Sequence, residues 1–201
     1  MSRRRNPYAR PDSRTREAKA QGFAARSVFK LEEIDKRLRL LQRGQSVLDL
    51  GAAPGSWSQY AGQRVGASGR VLAVDLNEIA QSLPDHVSVV QGDALALTND
   101  ELARFAPYDA VLSDMAPNTS GSKLRDQARS FELFERALAV AAALGKPGSS
   151  FVGKLFMSED FASARASLAK SYRDVRVIRP ESTRKQSSEV FLVGLGRRGD
   201  G

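Results

Sequence analysis

A glycine-rich loop and two acidic residues have the types and spacing of a nucleoside-binding site. The loop 51–55 follows a short apolar segment and precedes a predicted helix, so its small residues let the backbone approach a ligand closely. Asp75 and Asp93 follow the next two apolar segments, where a carboxylate can accept hydrogen bonds from a ribose or an adenine amino group. Either acid alone is equally typical of a helix cap or a turn. The three features together predict an adenosine-binding crevice.

The charges beside this loop indicate which class of cofactor the crevice binds. A dinucleotide brings an anionic pyrophosphate, whereas S-adenosylmethionine brings a sulfonium cation, which Asp49 and Asp114 favour. The loop also lacks the Gly-x-Gly-x-x-Gly spacing, because position 53 is alanine, and it lacks the Gly-Lys-Ser/Thr of a P-loop. These features favour S-adenosylmethionine over a dinucleotide without deciding between them, and a NAD-dependent dehydrogenase is a remote alternative.

One lysine stands in an apolar environment. Lys154 lies within the segment Phe151-Val152-Gly153-Lys154-Leu155-Phe156, where a charge is costly unless it is paired or emerges at a strand end. Asp114 closes another apolar segment and opens the turn Met115-Ala116-Pro117-Asn118. The positions of Lys154 and Asp114 therefore suggest function without any further information. Lys30 and Glu189 do not stand out in this way, because a charged helix face or an ordinary strand start explains them equally well.

These residues must be positioned by an alternation of strands and helices. Strands are predicted at 46–50, 70–74, 87–91, 109–113, 150–155, 174–178 and 190–196. Helices are predicted from Ser27 to Gly44 and at 56–65, 100–105, 126–144 and 159–171. This order predicts an α/β fold with a mostly parallel seven-stranded sheet and helices on both faces. The last two strands are joined without a helix, so the last strand is expected to be antiparallel.

The positive charge is concentrated at the N-terminus. The chain of 201 residues has a net charge of +8, and the first 30 residues hold nine basic and two acidic side chains. Residues 1–25 show no clear hydrophobic period, so we expect a flexible basic arm that binds RNA, followed by a single domain at 26–201. Basic segments of this kind bind polyanions by neutralising phosphates.

Composition excludes several other classes of protein. With 41% hydrophobic residues the chain can bury a core, and without cysteine it has no disulfide, thiolate metal site or cysteine nucleophile. The single histidine excludes a histidine-based metal centre. No apolar run approaches the ~18 residues of a membrane span, and no secretory signal is visible. We therefore expect a monomeric cytoplasmic protein without a metal or a membrane partner.

Four segments of the chain resemble the FtsJ/RrmJ family of ribose 2′-O-methyltransferases. They occur in the family's order and with similar spacing, and the resemblance extends from about Ser27 to Gly196. The segments are Asp49-Leu-Gly-Ala-Ala-Pro-Gly-Ser-Trp-Ser-Gln, Ser113-Asp-Met-Ala-Pro-Asn, Gly153-Lys-Leu-Phe and Ser187-Ser-Glu-Val. The resemblance implies a Rossmann-like methyltransferase fold, S-adenosylmethionine as the methyl donor, and a uridine of 23S ribosomal RNA as the substrate.

The resemblance also implies the roles of individual residues. The family's catalytic Lys-Asp-Lys-Glu set corresponds to Lys30, Asp114, Lys154 and Glu189. Our hypothesis is that Lys154 removes the proton of the ribose hydroxyl, that Asp114 orients Lys154 and favours the cationic donor, and that Lys30 and Glu189 position the hydroxyl. The expected cofactor contacts are Gly55, Trp57, Asp75, Asp93 and Asp114.

One position departs from the bacterial members of the family. Ser56 stands where they usually have glycine, and we expect cofactor binding to survive because serine is compatible with the first turn of a helix. Two alternatives stay open for the function. The first is the same chemistry on transfer RNA or an mRNA cap. The second is a non-catalytic RNA-binding relative, against which the complete Lys-Asp-Lys-Glu set argues.

Overall fold

A computed structural model describes residues 12–184 and 186–199. Within them, one seven-stranded sheet has the strand order β3-β2-β1-β4-β5-β7-β6. The strands are β1 (Ser46–Leu50), β2 (Arg70–Asp75), β3 (Val87–Gln91), β4 (Tyr108–Ser113), β5 (Gly145–Phe156), β6 (Tyr172–Ile178) and β7 (Glu189–Arg197). β7 lies antiparallel between β5 and β6, and the pairings among the first five strands are parallel. The predicted α/β fold, with its antiparallel last strand, is confirmed.

The described residues also form six helices. They are α1 (Ser13–Ala20), α2 (Val28–Leu38), α3 (Ser56–Val65), α4 (Asn99–Leu102), α5 (Lys123–Leu144) and α6 (Phe161–Ser171). Neighbouring strand residues point to opposite faces of the sheet, so β1 contributes to two apolar layers. Val47 packs with side chains of α2 and α3, whereas Leu48 packs with those of α5 and α6. No helix in the described part of the chain is long and apolar enough to cross a membrane.

The N-terminal segment differs from the irregular arm expected for residues 1–25. Residues 1–11 lie outside the described residues, but α1 follows them directly, capped by Asp12, whose side chain accepts a hydrogen bond from the Thr15 amide. Ala18 of α1 is fully buried in the same layer as α2 and α3. The charged residues around Ala18 give α1 almost no apolar period, which is why the sequence pattern missed it.

The second helix is shorter than predicted. α2 ends at Leu38, because Arg39 adopts the left-handed conformation with φ 54°, and the helix does not continue to Gly44. Leu40 and Leu41 still reach the core from the following loop. Glycine normally marks such a helix end, so an arginine there gave no signal.

Candidate active site

A cleft of about 370 Å³ opens at the carboxyl ends of the central parallel strands. This edge of the sheet is where doubly wound folds bind their ligands. Asp75, Asp93 and Asp114 all line the cleft, so three of the five predicted cofactor residues lie together. Residues that the sequence reasoning did not select also line it, among them Asn77, Asn118, Arg129 and Leu133.

Asp75 fixes the glycine-rich loop that forms one wall of the cleft. Its two carboxylate oxygens accept hydrogen bonds from the amides of Ala53 (2.9 Å) and Asn77 (2.8 Å). Gly51 has a φ of 78°, and a Cβ at this position would lie 2.6 Å from Cγ of Met115. The loop therefore requires glycine here, both for its backbone conformation and for its close approach to the segment after β4.

Asp93 lines the same cleft and is held there by a short turn. Its Oδ1 accepts a hydrogen bond from the Leu95 amide (2.9 Å), and its main-chain carbonyl accepts from the amides of Ala96 and Leu97. The carboxylate is therefore fixed in direction at the cleft. The sequence alone predicted the strand end but not this turn.

Asp49 is a buried carboxylate behind the loop. It is fully buried in β1, and its Oδ2 accepts a hydrogen bond from the Ser58 hydroxyl (2.6 Å), while Oδ1 has no hydrogen-bond partner among the described residues. Burial, with smaller contributions from the charges of Asp114 and Asp75, raises the pKa of Asp49 to about 7. The Ser58 hydrogen bond opposes this rise. Asp49 is thus a buried carboxyl group close enough to Asp114 and Asp75 of the cleft to interact with their charges.

Lys154 and Asp114 form an ion pair at the edge of the cleft. The Lys154 ammonium lies 3.0 Å from Oδ1 of Asp114 and donates a hydrogen bond of 2.5 Å to the main-chain carbonyl of the same residue. Only 6% of the Lys154 side chain is exposed. The buried charge that the sequence analysis singled out is therefore paired, and both contacts fix it to the end of β4.

Lys30 and Glu189 form a second ion pair, with 2.5 Å between Nζ and Oε1. In the β5–β7 ladder, Lys154 is opposite Phe191 and Phe156 is opposite Glu189. Side chains opposite one another in an antiparallel pair share a face, so Lys154 and Glu189 are diagonal neighbours on one face. The Lys30 ammonium lies 5.9 Å from the centre of the Phe191 ring on that face. The structure thus brings the four predicted catalytic residues to one region.

Gly55 and Trp57 do not line the cleft, although both were predicted to contact the cofactor. Trp57 is buried, donates a hydrogen bond from Nε1 to the Ser27 carbonyl (2.9 Å) and packs on Phe191 at 5.7 Å between ring centres. Gly55 has a φ of 109° at the start of α3, where a Cβ would lie 2.9 Å from Ile79. The contacts of both residues described here stabilise the fold, and a direct contact of either with the cofactor stays a prediction.

Ser56 joins two helices. Its hydroxyl lies 2.8 Å from the hydroxyl of Ser27, and the residue is almost fully buried. Ser27 is the residue directly before α2, where its side chain makes no capping hydrogen bond. The serine at position 56 thus makes a contact with the segment before α2 that a glycine would lack.

A second cleft lies beside the Lys30–Glu189 pair. Its volume is about 370 Å³, and both residues of the pair line it together with Arg26 and Arg184. Of the four predicted catalytic residues, Asp114 thus lines an acidic cleft, whereas Lys30 and Glu189 line a second cleft that also contains basic residues. This arrangement suits a cationic donor beside Asp114 and an anionic acceptor beside Arg26 and Arg184. Lys154 itself lines neither cleft and is paired with Asp114.

The acidic cleft fits S-adenosylmethionine by the chemistry of its lining. Three carboxylates and one arginine, Arg129, are the charged groups lining it within the described residues, and Arg129 is paired with Glu132 at 2.6 Å. An excess of negative charge favours a sulfonium cation and disfavours a pyrophosphate. The volume falls in the range of about 300–1,000 Å³ for small-molecule sites. The described residues hold no cluster of three or more His, Asp or Glu side chains able to bind a metal ion.

A solved structure shows the fold of the chain, and a family model shows its family. A putative ribosomal RNA methyltransferase of Plasmodium falciparum superposes with a TM-score of 0.77 at 22% identity, and the match covers 89% of this chain and all of that one. At this identity the likeness shows the fold, which is Rossmann-like and shared with methyltransferases. The model of the FtsJ-like methyltransferase family matches residues 23–197. The chain therefore belongs to the FtsJ-like methyltransferase family.

Two relatives in sequence carry the same name. The ribosomal RNA large subunit methyltransferase E of Sorangium cellulosum is 66% identical over 197 residues, covering 98% of this chain and 93% of the relative. The protein of that name from Bdellovibrio bacteriovorus is 48% identical over 195 residues, covering 95% and 99%. The similarity thus extends over nearly the whole length of both relatives.

Proposed function

We propose that this methyltransferase transfers the methyl group of S-adenosylmethionine to the 2′-hydroxyl of a uridine in 23S ribosomal RNA. The observation that carries the proposal is the meeting of two ion pairs, Lys154–Asp114 and Lys30–Glu189, between an acidic and a partly basic cleft. The names of the relatives support ribosomal RNA of the large subunit as the substrate. A protein with this substrate works in the cytoplasm, where ribosomal subunits are assembled, and we propose that it acts as a monomer.

Residues of the acidic cleft would hold the methyl donor. Asp75 and Asp93, fixed by main-chain hydrogen bonds, would accept hydrogen bonds from the ribose and the adenine, and Asp114 would face the cationic end. Bound there, S-adenosylmethionine supplies an electrophilic methyl carbon whose bond to sulfur breaks as the new bond to oxygen forms. The protein's contribution is to align the acceptor oxygen with that carbon, because displacement requires an in-line geometry.

Lys154 would remove the proton of the ribose hydroxyl. A hydroxyl is a weak acid, so its proton must leave as the bond to carbon forms. The Lys154 ammonium would first release one proton to solvent, and the neutral amine would then accept the proton of the hydroxyl. Asp114 fixes the Nζ atom through its carboxylate and its main-chain carbonyl. Lys30 and Glu189 would hold the ribose, since their charged groups meet on the same face of the sheet as Lys154. Both also line the second cleft described above, which we call the substrate-side cleft.

Methyl transfer to ribosomal RNA tests the proposed function. The protein is incubated with radiolabelled S-adenosylmethionine and large ribosomal subunits from cells that lack this enzyme, and the RNA is then digested to nucleosides. We expect the label in 2′-O-methyluridine from 23S ribosomal RNA. Label in a base, in transfer RNA or nowhere would contradict the proposal, and RNA binding without any transfer would favour a non-catalytic relative.

A further inference from the structure

Three charged side chains, Asp12, Arg26 and Arg184, form a cluster beside the substrate-side cleft. Arg26, which precedes α2, and Arg184, in the connection between β6 and β7, both line this cleft. Asp12, the cap of α1, lies between them: Oδ2 of Asp12 pairs with Nη1 of Arg26 and lies 3.6 Å from Nη2 of Arg184. One carboxylate therefore faces two guanidinium groups at the border of the proposed RNA site.

Asp12 is fixed in this position and stays charged. Its Oδ1 accepts hydrogen bonds from the amide (2.8 Å) and the hydroxyl (2.9 Å) of Thr15. The pKa of Asp12 is lowered to about 2, mainly by the hydrogen bond from the Thr15 amide. The Thr15 hydroxyl and Arg26 contribute to the same shift. Asp12 is thus an anion at neutral pH, and its second oxygen is directed at the arginines.

We infer that Arg26 and Arg184 form a binding site for a phosphate of the RNA next to the target ribose, and that Asp12 occupies this site in the RNA-free protein. A carboxylate and a phosphate present the same kind of anionic oxygen to a guanidinium group, and arginine binds both. The site borders the Lys30–Glu189 pair in one cleft. The inference rests on the proposed function, because it assumes that the acceptor ribose belongs to an RNA strand.

The two arginines differ in their exposure and in their distance from Asp12. The Arg26 side chain is only 19% exposed and also donates a hydrogen bond to the Ser182 carbonyl (2.5 Å), so it is fixed. The Arg184 side chain is 43% exposed and its contact with Asp12 is longer. Exchange of the Asp12 carboxylate for a phosphate at Arg184 therefore costs little in this one contact, since exposed ion pairs contribute little free energy.

The loop that carries Arg184 is anchored close to it. The Glu33 carboxylate of α2 accepts hydrogen bonds from the amides of Glu181 (2.6 Å) and Ser182 (3.0 Å). The backbone two residues before Arg184 is therefore fixed against α2, the helix that also carries Lys30. A phosphate held by Arg184 would thus be placed at a defined position relative to Lys30, which couples RNA binding to the alignment of the ribose.

Asp12 would compete with RNA, and this competition can be measured. In D12N the asparagine still caps α1, because asparagine is as good a cap as aspartate, but the charge opposite the arginines is lost. The matched control is D174N, because Asp174 is similarly exposed and paired with an arginine, Arg176, at 2.9 Å. R184A is matched by R176A in the same way. The probe is a fluorescein-labelled single-stranded RNA, titrated by anisotropy at several NaCl concentrations.

The expected results have opposite signs for the two variants. D12N should bind the RNA about fivefold more tightly than D174N. R184A should bind more weakly than R176A and reduce the slope of log K against log [NaCl] by about 0.7, the value of one phosphate contact on a single strand. In the double variant D12N/R184A, the gain from D12N should be at least halved, because the two changes act on one site.

Other outcomes overturn the inference. If D12N binds RNA no more tightly than D174N while its thermal unfolding matches that of the wild type, the cluster only stabilises the fold. If D12N is less stable and binds more weakly, the same conclusion follows. If the wild-type protein methylates large subunits but R184A retains the full salt slope, the proposed function stands and the phosphate site is wrong. A wild-type protein that binds no RNA would contradict both.

Discussion

The Lys154 ammonium contacts two different oxygens of Asp114, one in the side chain and one in the main chain. The carboxylate Oδ1 lies 3.0 Å away, and the main-chain carbonyl accepts a hydrogen bond of 2.5 Å. A lysine held only by a carboxylate would move if that side chain moved, whereas the Asp114 carbonyl belongs to the backbone one residue after β4. The main-chain contact therefore holds Lys154 next to Asp114, which lines the acidic cleft, and the carboxylate adds the charge.

The Lys30–Glu189 pair should affect the chemical step more than the binding of the methyl donor. We expect K30M to reduce the rate of methyl transfer by about 10²-fold, because misplacement of a reacting group by about 1 Å costs this much. The dissociation constant for S-adenosylmethionine, measured by calorimetry, should change less than threefold, since neither residue lines the acidic cleft.

The control for K30M lies on the same helix. Lys36 is paired with Glu32 at 2.7 Å on the exposed side of α2, so K36M removes one lysine and one ion pair from the same element. K36M should retain a normal rate. A rate for K30M equal to that of K36M would remove Lys30 from the site.

Asp93 should contribute to the affinity for the methyl donor. We expect D93A to raise the dissociation constant for S-adenosylmethionine about 10-fold or more, the loss of one hydrogen bond to a charged group, worth about 1.5–3 kcal/mol. The exposed Asp85 provides the control variant D85A. Equal dissociation constants for D93A and D85A would show that the adenosine end of the donor does not reach Asp93.

Asp49 should make the stability of the protein depend on pH. Its pKa is raised from 3.8 to about 7 in the folded state, so the folded protein binds a proton more tightly than the unfolded chain. The resulting stabilisation is complete below about pH 4 and is lost as the pH rises through about 7. D49N lacks this dependence. The difference in free energy of unfolding, D49N minus wild type, should therefore rise between pH 4 and 7 and stay constant above pH 7.

The difference between D49N and wild type isolates Asp49 and its coupling to Asp114 and Asp75, because titrating residues that do not interact with Asp49 contribute equally to both. Urea unfolding at a series of pH values measures it. S58A provides a second check: Ser58 donates to Asp49 at 2.6 Å and lowers the pKa of that carboxyl, so its removal should shift the transition to higher pH. A difference curve that is flat from pH 4 to 8 would mean that Asp49 is ionised normally.

The sequence predicted those elements whose ends carry local signals. The bounds of β1, α3 and β3 match to the residue, since glycine or a turn closes each of them. α1 was missed because only Ala18 is fully buried in it. Local patterns also marked Asp114 and Lys154, because a strand end and a charge in an apolar strand are both visible in the sequence.

The second half of the site could not be read from local patterns. Lys30 and Glu189 meet only because β7 inserts beside β5 and α2 packs over that pair of strands. Nothing in the neighbouring residues of either position encodes this contact, so the prediction depended on the family resemblance. Arg26, Arg184 and Asp12 come together in the same long-range way, and no motif marked their cluster.

The rate of methyl transfer in K154A tests the central claim most directly. Lys146 provides the control, because it lies in the same strand, β5, and is also paired with an aspartate, Asp109, at 2.8 Å. With large ribosomal subunits and saturating S-adenosylmethionine, K154A should lose about 10²–10⁴-fold in rate, the usual contribution of a general base. Its affinity for S-adenosylmethionine should be retained, and K146A should transfer methyl groups normally. A K154A rate within a few-fold of that of K146A would contradict the assignment of Lys154 as the base.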